Sequence, residues 1–168
     1  MLRIEKATAL DAEKVLEYCK IIGGESDNLT FGAEGVPMTV EAEREYFERV
    51  SKSNRQVYLV AKIDGNVVGT ATLACFERPR LAHRAEISIS VREDYWGNGI
   101  GTKLMQELID FAKNSAGAEI ISLEVRSDNR RAVALYEKFG FETIGRFPGF
   151  MKINGEDVSC DIMRLHLD

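Results

Sequence analysis

Hydrophobic and polar positions change period several times along the chain, and each change marks an element. Ile87, Ile89 and Val91 alternate with Ser88 and Ser90, the period of a strand, which we place at about Arg84–Val91. Ile100, Leu104, Leu108 and Phe111 then recur at helical spacing, predicting a helix to about Lys113. Upstream, Leu2–Ala7 reads as a short strand, and Thr8 or Asp11 can cap a helix running to about Ile22. Its apolar stripe is Ala12, Val15, Leu16 and Cys19. Gly23–Met38 has no period, and a loop of that length in a compact fold is usually functional or mobile. Thr39 can cap a second helix to about Lys52, with Glu41, Glu43 and Glu45 near the positive end of its dipole. Gln56–Ile63 and Val67–Phe76 read as strands joined at Asp64-Gly65, a strong hairpin signal.

Beyond the central helix, Glu119–Val125 alternates again, with Ile121, Leu123 and Val125 on one side. Asp128 or Asn129 can cap a helix that presents Ala132, Leu135, Tyr136 and Phe139, and Gly140 ends it. A strand starts at Glu142–Arg146, Asn154-Gly155 marks a turn, and Asp157–Leu167 closes the sheet. The hairpin strands must run antiparallel, whereas the two strands flanking the central helix must be parallel, because a helical crossover joins them. The expected fold is a mixed α/β (α+β) sheet, mostly antiparallel, with one parallel pair beside that helix. No repeat or linker interrupts the pattern, so one domain is expected over residues 1–168.

Composition narrows the function classes. Hydrophobic content of 45% and charged content of 29% are those of an ordinary globular protein. A net charge of −5 argues against nucleic acid as the main partner and is compatible with a cationic amine ligand. No apolar run could span a membrane, and Met1–Asp11 carries no signal-peptide pattern, so no membrane association and a cytoplasmic setting are expected. Cys19, Cys75 and Cys160 are widely spaced and read as buried thiols in a reducing compartment. His83 and His166 lie far apart, and no metal site or Ser-His-Asp triad is suggested.

The chemistry starts at Gly97-Asn98-Gly99-Ile100-Gly101, between the alternating strand and the helix. Glycine lets backbone N–H groups approach a ligand, and the first N–H groups of a helix are unpaired and electropositive. Such a unit cradles an anion, most naturally a phosphate. A Walker loop fails here because Thr102 separates Gly101 from Lys103. The dinucleotide fingerprint fails because its third glycine is Thr102 and Arg92–Trp96 intervene after the strand. Trp96-Gly97-Asn98-Gly99-Ile100-Gly101 instead resembles the Gln/Arg-x-x-Gly-x-Gly/Ala pyrophosphate motif of the GNAT superfamily of N-acetyltransferases, departing from it at Trp96. Asn129–Phe141, NRRAVALYEKFGF, resembles the second motif of that family. The resemblance covers nearly the whole chain. The segments LTFGAEGVPMT and MKINGEDVSCDIMRLHL further resemble the bacterial phosphinothricin-type and ribosomal-protein-type branches.

The resemblance implies acetyl-CoA as co-substrate, no metal, and direct transfer in a ternary complex to a primary amine on a small molecule or peptide. A homodimer is a further implication. The strand Ile87–Val91 would open away from Glu119–Val125, and Ile89 and Val91 would offer backbone hydrogen bonds to the pantetheine arm. Arg92 and the backbone of Gly97, Asn98, Gly99, Ile100, Gly101 and Thr102 would hold the pyrophosphate. Asn129 would hydrogen-bond the cofactor near its thiol, although a helix cap alone would also suit it. An alkylammonium of pKa about 10.4 must lose a proton before it attacks a thioester. Glu86, on the polar side of its strand with Ser88 and Ser90 and in the HxxE context His83-Arg84-Ala85-Glu86, is the expected base. Backbone N–H near Ile89 would stabilise the developing oxyanion. Tyr136, two turns beyond Asn129, would protonate the departing thiolate. Glu25, Asp27 and Glu34 in the long loop are expected to bind a cationic acceptor. A catalytically silent acyl-CoA-binding sensor would keep the glycine turn and lack a productive base.

Overall fold

Seven strands form one sheet in the order β1-β2-β3-β4-β5-β7-β6 in the computed structural model, which describes residues 1–168. The strands are β1 (Leu2–Lys6), β2 (Gln56–Ile63), β3 (Asn66–Cys75), β4 (Arg84–Val91), β5 (Ile120–Arg126), β6 (Glu142–Ile153) and β7 (Glu156–His166). Helices α1 (Ala12–Glu25), α2 (Val40–Ser51), α3 (Ile100–Phe111) and α4 (Arg130–Lys138) complete the fold. The predicted elements all appear. Strand β6, whose start alone the sequence places at Glu142–Arg146, continues to Ile153.

Local chemistry explains the boundaries. Asp64 and Gly65 both take positive φ (51° and 80°), the conformation of the tight hairpin turn between β2 and β3. Thr39 accepts the Ala42 N–H at 3.1 Å and starts α2, and the Asp11 carboxylate accepts the Thr8 N–H at 2.8 Å ahead of α1. Gly140, at φ 95°, stops the chain after α4.

Two apolar clusters sit on opposite faces of the sheet, because alternate residues of a strand point to opposite sides. Leu59, Ala61 and Val68 join Leu104, Met105 and Leu108 of α3 in the larger cluster. Val60 and Val67 join Val15, Cys19 and Phe47 of α1 and α2 in the smaller one. Cys19, Cys75 and Cys160 are buried free thiols, as expected. No helix is long and apolar enough to cross a membrane.

All strand pairs are antiparallel except β4 and β5. That parallel pair has three rungs only: Arg84 with Ile120, Ala85 with Ile121 and Glu86 with Ser122. Beyond Glu86 the two strands separate while each keeps its other neighbour, β3 and β7. The sheet is thus forked at its centre, and the fork sets the site.

Candidate active site

The fork leaves one edge of β4 without a strand partner. Backbone groups of a strand alternate in direction, and Arg84 and Arg92 turn theirs to the β3 side, where the Arg84 carbonyl accepts from Phe76 N (3.1 Å) and Arg92 N donates to the Val68 carbonyl (2.9 Å). Ile87, Ile89 and Val91 therefore turn their N–H and C=O groups into the gap, as the sequence implies for Ile89 and Val91. One of these groups is taken: the Trp96 indole Nε1–H donates to the Val91 carbonyl at 2.9 Å. The gap opens into a cavity of about 700 Å³ bounded by β4, β5, α1, the loop after α1, the glycine turn and α4.

The glycine turn closes one end of that cavity. Gly97 and Gly99 have φ of 80° and 76°, and a Cβ on either would project into open space, so the backbone there is bare toward the cavity. Gly99 is the N-cap of α3, which leaves the N–H groups of Ile100, Gly101 and Thr102 without helical partners. Asn98 holds the turn by donating its amide to the Tyr95 and Trp96 carbonyls (3.0 and 3.3 Å). Gly101 serves a different purpose. A Cβ there would lie 3.2 Å from Leu135 Cδ2, so this glycine lets α4 approach α3. An open, left-handed turn leading into unpaired N–H groups fits the pyrophosphate of a CoA thioester.

Trp96, at the Gln/Arg position of the motif, brings a cation by another route. The Arg131 guanidinium stacks over its ring at 4.3 Å and has no carboxylate partner within 4.0 Å. A polar recess of about 440 Å³ adjoins the main cavity across Trp96, Arg126, Asn129 and Arg131.

Asn129 is at once a helix cap and a cavity-lining residue. Its Oδ1 accepts the Ala132 N–H at 3.2 Å and caps α4, and the residue lines the cavity with its amide nitrogen uncommitted. Tyr136 is 7% exposed, packs on Phe141 (ring centroids 5.8 Å apart), lines the cavity, and makes no hydrogen bond within the protein. Burial pushes its phenol up to about 12, so it is a protonated donor at neutral pH.

The carboxylates are distributed differently from the sequence expectation. Glu86 lies on the predicted face, but at the last rung of the β4–β5 pair, and it does not line the cavity. Glu124 lies two residues beyond that rung on β5, where the fork is open, and it is the only carboxylate lining the cavity. Partial burial, and then the neighbouring negative charge of Glu86, raise the Glu124 carboxyl above its usual range. The alternation of Ile121, Leu123 and Val125 already set Glu124 on the polar face. The register against β4, which singles it out, comes only from the fold.

The three loop carboxylates also stand outside the cavity. Glu25 accepts Arg92 Nε at 3.0 Å and the Glu93 N–H at 3.2 Å, tying the end of α1 to the segment after β4. Arg92, expected at the pyrophosphate, is thereby turned to Glu25 and does not line the cavity. Glu34 closes its own loop by accepting the Gly32 N–H at 2.9 Å. Asp27 borders the smaller recess, and its carbonyl accepts from Arg126 at 3.2 Å. Arg126 is otherwise held on Asp128, with Nε and Nη2 donating at 2.7 and 3.3 Å.

Comparison with known proteins establishes the family and the fold. The model of the acetyltransferase (GNAT) family matches residues 27–141. L-amino acid N-acetyltransferase AaaT of Escherichia coli (strain K12) is 38% identical over 105 residues, which are 62% of this chain and 65% of AaaT, just under two thirds of that protein. N-alpha-acetyltransferase RimI of Mycobacterium tuberculosis is 34% identical over 111 residues, 66% of this chain and 68% of RimI. The acetyltransferase of GNAT family from Streptococcus pneumoniae superposes with a TM-score of 0.95 at 26% identity, over 99% of this chain and 100% of its own.

Proposed function

The chain belongs to the acetyltransferase (GNAT) family, and on that premise we propose that it moves an acetyl group from acetyl-CoA directly to a primary amine held in the β4–β5 fork. The observation that carries this reading is the fork itself. It joins a phosphate-binding turn, a strand edge with free backbone groups, one raised carboxyl and one buried phenol in a single cavity.

Bound acetyl-CoA supplies a thioester whose carbonyl carbon is open to attack by a free amine. The turn from Gly97 to Thr102 holds the pyrophosphate, with Arg131 on Trp96 beside it, and Asn129 donates its amide near the thiol end. Ile87 and Ile89 offer backbone N–H groups from the β4 edge to the pantetheine arm and to the negative charge that develops on the carbonyl oxygen. Glu124 receives the acceptor's ammonium and takes one of its protons, directly or through a water. Tyr136 donates its phenolic proton at the sulfur as the C–S bond breaks. Glu86, paired with Ser122 two residues back along β5, is a negative neighbour that makes Glu124 a stronger base.

The test is thiol release from acetyl-CoA across a panel of primary amines, with mass detection of the N-acetyl product. Amine-dependent release that disappears in Glu124→Gln supports the reading. Tight acetyl-CoA binding without release for any amine overturns it in favour of an acyl-CoA-binding sensor.

A further inference from the structure

The loop after α1 and an irregular stretch of β6 both contribute apolar residues to the cavity, and their chemistry is specific. Leu29, Phe31 and Val36 line it from the loop, and all three also pack on the apolar cluster under α1 and α2. Phe150 and Met151 line it from β6. They arrive there because β6 carries extra residues between the pairs Phe147–Cys160 and Met151–Val158, with Gly149 at φ 71°, so the strand bulges. The loop is held in place. The Gly32 carbonyl occupies the space that a Cβ on Gly23 would need, and the Gly35 N–H donates back to Gly32 at 3.0 Å.

Charge is as informative as shape. Glu25 is bonded to Arg92 and the Glu93 N–H, Glu34 to the Gly32 N–H, and Asp27 borders the adjoining recess, so Glu124 is the single carboxylate lining the cavity itself. An acceptor with one ammonium finds one carboxylate there. A second ammonium on the same molecule, if it lay among Leu29, Phe31, Phe150 and Met151, would meet unfavourable desolvation and no counter-charge.

Resting on the acetyltransferase reading, we propose that the acceptor is a primary monoamine with a branched aliphatic or aromatic body, and that polyamines are excluded. The ammonium sits at Glu124 and the apolar body fills the space between the loop and the β6 bulge.

Calorimetric titration of amines into the protein loaded with CoA tests this without requiring turnover. Phenethylamine and isopentylamine should bind at least about tenfold more tightly than putrescine or spermidine, as burial of an apolar group of that size implies. Leu29→Asp and Phe31→Asp, each placing an anion among the apolar residues, should erase or reverse that order. A parent-like circular dichroism spectrum and a cooperative thermal melt in each variant report that it is folded. Equal affinities in the parent protein, or tighter binding of the polyamines, would overturn the assignment. Preferential binding of phenethylamine with no thiol release would leave it standing and defeat the transfer chemistry instead.

Discussion

The two ends of the cavity are built by different means. The part we propose for the cofactor is made largely of backbone: positive-φ glycines, the first N–H groups of α3 and the free edge of β4, all within one continuous stretch of chain. The part we propose for the acceptor is made of side chains gathered from α1, the loop after it, β5 and a bulge in β6. A backbone cradle recognises a group common to every reaction and needs only glycine where the chain must turn left-handed. A wall of side chains can change residue by residue without disturbing that cradle. One scaffold can therefore keep its acyl donor while its acceptor drifts.

The comparison can be broken most sharply at Glu124. Glu124→Gln should lower turnover about 10²–10⁴-fold while acetyl-CoA affinity, read by calorimetry, stays within a few-fold. At the other end, Gly99→Val forces a branched residue to positive φ and fills the bare side of the turn. Acetyl-CoA affinity should drop about 10²-fold, some 3 kcal/mol. Gly101→Val acts through packing on Leu135, so its first symptom should be a lower melting temperature. Tyr136→Phe keeps the ring on Phe141 and should reduce turnover about tenfold or more with little change in cofactor affinity.

Smaller effects sharpen the picture. Glu86→Gln removes a negative neighbour from Glu124, whose carboxyl then returns toward its usual range. The base is active when deprotonated, so the acidic limb of the kcat/KM profile should move to lower pH. A limb that stays in place would detach Glu86 from the site. Glu25→Gln weakens the tie to Arg92 and the Glu93 N–H, and should cost about 1 kcal/mol of stability with catalysis nearly intact. Loss of acetyl-CoA binding in that variant would return Arg92 to the cofactor.

What was legible in the sequence follows the same division. Alternation and caps located the seven strands and four α-helices, and the glycine spacing located the open turn before α3, because those signals are local. Asn129 was legible for the same reason, since a cap and a cavity-lining amide sit at one position. Glu86 and Glu124 both alternate onto a polar face, and only the length of the β4–β5 pairing decides which of them meets the opening. Glu25 and Arg92 lie far apart in the chain, and nothing local says that each neutralises the other. Leu29 and Phe31 carry no periodic signal, and only the closed loop shows that they line the cavity.

The position of β7 has a consequence for how the molecule is made. Strand β5 is flanked by β4 through three rungs only, and its fuller partnership, seven residue pairs, is with β7. A nascent chain that has been synthesised through β6 already contains the turn, the fork strands and both motif helices. It still has one edge of β5 bare, open to pairing with another chain. The late, non-local insertion of residues 156–166 between β5 and β6 removes that edge, and pairings of this kind form slowly. The binding cleft is thus among the last parts of the protein to come into existence, although its signature residues are translated well before.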